Sequence, residues 1–527
     1  MAAPSLPNAP AREAARAVRL DRLAPWLLAL VAFGAAASAI GPWPVGVFQD
    51  DGMYLVLAKS LATGEGYRYL NIPGAPSATH YPPLYPAVLA LLWKLNPAFP
   101  QNVTMFKFAN ALFLGGAAAL FYSFARERLQ LGAAASALSV AAFTACAPVV
   151  LLTVVLLSEP MFLCGLAATL IVCDRAAASG RARDAALAGG AGALLAMVRT
   201  LGIAVVPATV VVLAWRRQWR AAAACAGVAV ALSIPWQLWV GAHAAEVPAI
   251  FLGKYGSYLG WLADAVRADG VGFLGRVARE NLMRLVAQGW ATTATESLPL
   301  AVRVAASLGL AGFFGVGLWS MWRRSPVAAL FLVGYLVIVV LWPFDPARFT
   351  WGVWPLVGLV YGLAGAAVWR SAHRVARPFA LGAFAALTVG YAGYNYLGAT
   401  RGWWTTVQQS IADRARPLAE WVVANTDSGA VVATDDDVLI HLYTGRRAIP
   451  NGAFTPQEYL VPQTSDFAVR TLRTILATYE VDYVLASTAY GAYAARGLVQ
   501  ARPAELAIVR ALPTGAVFAP VATDGGR

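Results

Sequence analysis

The chain has 527 residues, of which 59% are hydrophobic and only 13% charged, with a formal net charge of +13. Soluble domains carry about 25% charged residues, so a single soluble domain, a disordered chain and a secreted disulfide scaffold are excluded and a polytopic membrane protein remains. The basic excess sits in residues 1–399, in short loops between apolar runs, where membrane topology explains it and nucleic-acid binding does not.

A spanning helix needs about 20 mostly apolar residues. In chain order the sequence predicts eleven such runs, at 24–42, 105–125, 131–152, 160–176, 184–198, 200–215, 220–241, 299–321, 326–343, 350–369 and 378–399. The stretch 84–95, LYPAVLALLWKL, is short and flanked by prolines, which predicts an interfacial or re-entrant helix. In GFLGRVARENLMRLVAQGW, Phe273, Leu274, Val277, Leu282, Leu285 and Val286 recur at helical spacing, with Arg276, Arg279, Glu280 and Arg284 opposite. That pattern predicts an amphipathic helix on the outer leaflet, or alternatively one packed on a soluble domain. Beyond residue 400, VVATDDDVLIHLYTGRRAIP and VDYVLAS read as short strands, and IADRARPLAEWVVANT and FAVRTLRTILATYE as helices. Cys146, Cys164, Cys173 and Cys225 fall in or beside apolar segments and read as packing residues.

Lys/Arg placement sets the direction. One set of loops, holding Arg12, Arg16, Arg19 and Arg22 and five later clusters, carries 17 basic residues. The opposite set (43–104, 153–159, 242–298 and 344–349) is more than twice as long and carries nine. The positive-inside rule puts the N-terminus in the cytoplasm, and an odd number of spans puts the C-terminal part outside. The apolar stretch near the N-terminus is too long for a cleavable signal peptide. The expected architecture is mostly α: a polytopic transmembrane bundle of about 11 spans in the cell (inner) membrane. It comprises a cytoplasmic segment 1–23, a membrane domain 24–399 with outer loops 43–104 and 242–298, and a small extracytoplasmic α/β domain 400–527.

Charged groups beside apolar spans are costly and are functional candidates by default. On the outer face these are the adjacent acids Asp50 and Asp51 in VFQDDGMYLVLAKSLATGEGY, Glu159 in LLSEPMF, Arg199 in AMVRTLG, and Asp345 and Arg348 in FDPARFTWGVWP. THYPPLYP adds His80, Tyr81 and Tyr85 to that face. A carboxylate at the mouth of a bundle is a candidate general base, and arginines hold phosphate by charge-assisted hydrogen bonds. Asp51 and Glu159 are candidate ligands for a divalent cation such as Mg or Mn. Tyr54, Lys59, His80, Tyr81, Arg199 and Arg348 are the candidate substrate-binding groups. The chain has no Walker-type or GxGxxG loop. The Asp435–Asp436–Asp437 run resembles a metal cluster, but at a strand end it reads as a turn.

The order of these features resembles the GT-C superfamily of membrane glycosyltransferases, in the branch of protein O-mannosyltransferases and lipid A aminoarabinose transferases. The resemblance rests on Asp50-Asp51 with Tyr54 and Ala58, Pro82 to Pro86, Ser158-Glu159-Pro160, Arg199 in a tight hairpin, and Arg348 before a Trp/Pro-containing span. It implies a polyprenyl-phosphate sugar donor, an envelope glycan, lipid or protein as acceptor, and an inverting displacement outside the cytoplasm. It also implies Asp50 as base, Glu159 assisting the site or a metal, and Arg199 and Arg348 on the donor phosphate. Some relatives have Lys before Pro-Pro-Leu where this chain has Tyr81 preceded by His80. The second acid, commonly Glu, is Asp51 here. Two other readings are a transporter or lipid flippase, expected to show internal repeats and midplane charges, and a non-catalytic envelope protein on the same fold.

Overall fold

A computed structural model describes residues 9–287, 298–371 and 373–521. Parts of three expected regions lie outside it: residues 1–8 of the N-terminal segment, 288–297 of the second outer loop and 522–527 at the C-terminus. Every one of the eleven apolar runs falls on a helix or helix pair. Among the described residues four are long and apolar enough to cross a membrane: Val103–Glu127, Glu159–Ser179, Trp219–Glu246 and Leu300–Trp322. A fifth counts if the pair Ala133–Thr144 and Ala147–Val154, bent by 51°, is one span. The apolar helices Pro326–Leu341 and Trp354–Trp369, of 16 residues each, reach only about 24 Å at 1.5 Å per residue.

These helices bury one side and leave the other apolar. Leu30, Trp215, Leu238, Trp319 and Val337 are all exposed, a surface that water does not favour and hydrocarbon does. The helices approach closely where residues are small: a Cβ on Gly189 would come within 2.2 Å of the Cys225 carbonyl oxygen of the neighbouring helix. Leu84–Leu95 packs along Asp50–Thr63 with Leu91 and Leu95 facing outward.

The amphipathic helix Gly272–Ala287 packs on protein. Phe273 and Val277 are fully buried beside Ala265, Leu262, Tyr459 and Leu460. Asn281 also donates to the Val340 and Trp342 carbonyls, at 3.0 and 2.8 Å. The outer-leaflet expectation is therefore corrected for this face: its apolar stripe is satisfied by the chain itself, and only Leu282, Met283 and Val286 point away.

The last helix of the bundle, Ala376–Thr400, is followed by Trp403–Asn425 and a five-stranded sheet. Its strands are β1 (Val431–Thr434), β2 (Arg447–Pro450), β3 (Tyr483–Ala486), β4 (Leu506–Leu512) and β5 (Gly515–Pro520), ordered β2-β1-β3-β5-β4. β1 pairs in parallel with β2 and β3, while β5 runs antiparallel to β3 and β4. The segment expected as strand over 431–450 is strand only at its two ends. Between them Asp437–Thr444 is helical and ends at Gly445 in the left-handed conformation. Val438, Leu439, Ile440 and Leu442 are all buried, so this segment has no exposed face to give a strand's alternation.

Candidate active site

The helix Asp50–Thr63 begins with two acids, where the helix dipole favours negative charge. Their side chains part immediately. Asp51 turns back onto the preceding loop: its Oδ2 accepts from the Gly46 and Val47 N–H groups at 2.6 and 3.0 Å, and its Oδ1 from Phe48 N–H at 2.8 Å. Gln49, with φ +65°, makes the left-handed step between loop and helix. Gly52 seals the turn, since a Cβ there would lie 2.6 Å from both Gly46 Cα and a Val438 methyl. Burial lifts the Asp51 carboxyl to about 6 in spite of its N–H donors.

Asp50 faces the other way and its side chain is 25% exposed. Its Oδ1 accepts from the Tyr81 hydroxyl at 2.9 Å and its Oδ2 meets Arg348 Nη2 at 2.5 Å. Burial pushes its pKa up, but the charge and hydrogen bond of Arg348 and the hydrogen bond from Tyr81 outweigh that and hold it below the usual value. Arg348 stands on the short helix Pro346–Trp351, begun by Asp345, whose side chain caps the Ala347 N–H at 2.9 Å.

Glu159 opens the helix Glu159–Ser179, with Pro160 next to it in the first turn. The loop before it is held by Asn110, whose amide donates to the Leu157 carbonyl at 2.8 Å. Arg199 lies at the extended joint between the helix Ala182–Val198 and the 3₁₀ turn Thr200–Ala204. Glu159 Oε1 pairs with Arg199 Nη1 at 2.8 Å and with Arg348 Nε at 3.6 Å. Four distant segments thus build one chain of charges, Asp50–Arg348–Glu159–Arg199, with two acids and two arginines. It deepens inward: Arg348 is 28% exposed, Arg199 10% and Glu159 1%. Glu159 Oε2 and Arg199 Nε are buried without hydrogen-bond partners, so the cluster carries polar capacity that the protein itself does not fill.

Aromatic groups line this chain. The Tyr54 hydroxyl lies 3.0 Å from Ser158 Oγ, which accepts from Arg199 Nη1 at 3.1 Å. The Tyr54 and Tyr81 rings meet edge to face at 5.3 Å. Lys59 belongs elsewhere. Nine residues along the helix from Asp50 it stands about 13 Å away by helical rise, and its charge is felt at His441 of the C-terminal domain. His80, expected among the substrate-binding groups, packs against Tyr81 with ring centroids 4.7 Å apart. Its Nδ1 is 2.5 Å from the Gly256 carbonyl and its ring packs tilted against Tyr258, centroids 3.8 Å apart. Burial lowers its pKa to about 4, so at neutral pH it is an uncharged brace for Tyr81.

The two acids expected to share a metal face different partners. Asp51 commits both oxygens to backbone N–H groups and Glu159 lies between two arginines. Among the described residues no group of three or more His, Cys, Asp or Glu side chains is placed to hold a metal ion. These donors do not fit a divalent cation.

Sequence reasoning missed Tyr258 and Tyr335, two aromatic walls. Tyr335 donates to the Phe349 carbonyl at 2.8 Å beside Arg348. It also missed a second polar cluster behind the Asp50 helix. Asp437, fully buried, receives the Tyr255 hydroxyl, the Gln49 amide at 3.5 Å and Lys254 at 3.6 Å. Tyr255 in turn accepts from the Asn71 amide at 2.7 Å. The only signal was the Gly-flanked KYGSYLG segment of the second outer loop.

No protein-family model and no curated protein matches the sequence. The fold does match. The crystal structure of ArnT from Cupriavidus metallidurans bound to undecaprenyl phosphate superposes with a TM-score of 0.54 at 15% identity, covering 95% of this chain and 98% of that one. The apo ArnT structure gives 0.54 and 15%, covering 94% and 97%. The fold expected, mostly helical with a small sheet at the C-terminus, is thereby shown to be ArnT-like.

Proposed function

We propose that this chain, which shares the ArnT fold over nearly its whole length, is a membrane glycosyltransferase. In this reading it moves a sugar from a polyprenyl-phosphate donor to a cell-envelope glycan, lipid or protein. The observation that carries it is the Asp50–Arg348–Glu159–Arg199 chain, assembled from four segments at one end of the bundle. ArnT has been crystallised with undecaprenyl phosphate, the class of carrier that two clustered arginines suit.

The acceptor oxygen attacks the anomeric carbon while the carbon–phosphate-oxygen bond breaks. The acceptor's proton passes to Asp50, and polyprenyl phosphate leaves as an anion on Arg199 and Arg348. Attack opposite the leaving group inverts the anomeric centre. Asp51 shapes the loop and takes no proton, Glu159 fixes the two guanidinium groups, and Tyr54 and Tyr81 wall the sugar site. No step is routed through a metal, because the side chains present do not form a site for one.

The positive-inside distribution supports an inner-membrane protein with its N-terminus in the cytoplasm and this cluster and the C-terminal domain outside. The eleven apolar runs then act as spans, the shortest of them where the bilayer thins or the helix ends lie among protein. The test is Asp50→Asn, which keeps size and removes basicity. In membranes supplied with the native donor lipids, incorporation of sugar into envelope acceptors, read by mass spectrometry, should fall by about 10²–10⁴. Transfer surviving within about tenfold would exclude Asp50 as the base.

A further inference from the structure

Asp50 holds a position at odds with the role just given it: both its oxygens are engaged, and one of them grips an arginine assigned to the donor phosphate. The charge count of the cluster makes the conflict definite. Two carboxylates and two guanidiniums balance. A phosphate ester entering at Arg199 and Arg348 adds a third anion for the same two cations, so one carboxylate must give up its partner. Glu159 is not the one to yield. It is 1% exposed, ion-paired with Arg199 at 2.8 Å, and losing its partners would strand a buried charge. Asp50 is 25% exposed and keeps a second hydrogen bond, from Tyr81. Arg348 is reachable as well, at 28% exposure, on a helix of only six residues.

We propose that Arg348 is a gate shared between Asp50 and the donor phosphate: the phosphate takes Arg348 from Asp50, and the carboxylate becomes a free base only once the donor is seated. This rests on the glycosyltransferase reading and deepens it. Binding becomes ordered, donor before acceptor. With no donor bound, Asp50 remains paired and an acceptor meets no competent base. Release of Arg348 also removes the strongest influence holding the Asp50 carboxyl down, so the base strengthens as the donor arrives.

The gate makes a prediction that a plain base or a structural acid does not. Removing the charge at Asp50 removes the competitor for Arg348, so a variant that has lost transfer binds the lipid phosphate more tightly. The probe is undecaprenyl phosphate, titrated against the full-length protein in detergent by intrinsic tryptophan fluorescence, with neutral undecaprenol as control. Asp50→Asn and Asp50→Ser are each expected to bind undecaprenyl phosphate about fivefold more tightly than the native protein, the upper scale of one partly exposed ion pair. Asp50→Glu, which keeps the competitor, stays within about threefold, and undecaprenol affinity is the same throughout. Two neutral variants are used so that poor folding of one, seen by size-exclusion elution, leaves the other to decide. Unchanged or weaker binding by the folded neutral variants overturns the gate and leaves the donor reading standing. If the native protein binds undecaprenol as well as undecaprenyl phosphate, the donor reading fails and the gate with it.

Discussion

Two runs of adjacent acids, Asp50–Asp51 and Asp435–Asp437, look alike in the sequence and are resolved in opposite ways by the fold. In the C-terminal domain Asp435 and Asp436 are both answered from within the domain. Asp435 accepts the Ser487 and Thr488 N–H groups at 3.0 and 3.1 Å and the Thr488 hydroxyl at 2.8 Å, filling the crevice between β1 and β3. Asp436 takes Arg414 at 2.9 Å and Ser487 Oγ at 2.5 Å, and Asp437 ties the domain to the outer loops. That crevice lies at the ends of parallel strands, a place where open α/β sheets commonly take ligands, and here carboxylates of the chain occupy it. Asp50 instead meets groups from distant segments, and polar atoms of its neighbours Glu159 and Arg199 are left unpartnered. An acid answered within its own domain is structure; one that joins a chain of charges built from four segments, with polar atoms left unpartnered, is chemistry.

The sharpest way to break that contrast is to make the same change in both runs. Asp50→Asn is expected to lose transfer by about 10²–10⁴, whereas Asp436→Asn should keep transfer within about twofold in the same mass-spectrometric assay. Equal losses would mean that the two runs serve one function. Next in size is the stability of the inner pair. Arg199→Ala leaves Glu159 buried with only the 3.6 Å contact to Arg348 and should cost about 3–5 kcal/mol, read as a lower melting temperature in detergent. Arg199→Lys should recover part of that, because one charge is restored without the fork that also reaches Ser158.

The contrast also sets what the sequence makes legible. Eleven apolar runs announced helices because composition alone decides which segments leave water, and each run proved helical. Glu159, Arg199 and Arg348 stood out because charge beside an apolar span is rare. Tyr335 and Tyr258 were silent because an aromatic residue among apolar ones is ordinary. Lys59 was placed at the site by nearness in sequence, but nine residues of helix carry it to the domain interface. The strand expected over 437–444 failed because tertiary contact buries a helix there on all sides, against the Asp50 helix and the sheet together. Nothing in two adjacent aspartates says which one turns inward; the left-handed backbone of Gln49 decides it.

The acid pair itself offers a third test, because its members should respond to pH with opposite sign. The Asp51 carboxyl is raised from 3.8 to about 6 by burial. A raised acid binds its proton more tightly folded than unfolded, so stability falls as pH rises between about 4 and about 6, by on the order of 3 kcal/mol. Asp50 is held below 3.8, chiefly by Arg348 against burial. Its pair contributes fully above that value and is lost only as pH falls further. Melting curves between pH 4 and pH 7 should therefore flatten in Asp51→Asn and keep their slope in Asp50→Asn. The same flattening in both would show that the two carboxyls titrate as one unit.

The smallest effect comes from the acid with the most conventional partner. Asp436 pairs with Arg414, whose side chain is 32% exposed, and water competes for that contact. Burial raises the Asp436 carboxyl while Ser487 and Arg414 pull it back, so an amide there keeps the Ser487 hydrogen bond and loses only a screened charge. Asp436→Asn should cost about 1 kcal/mol or less, seen as a shift of a few degrees at most in melting temperature. A cost near that of Arg199→Ala would mean that the crevice between β1 and β3 is as tightly balanced as the cluster around Glu159. The domain's acids would then no longer stand apart from those of the site.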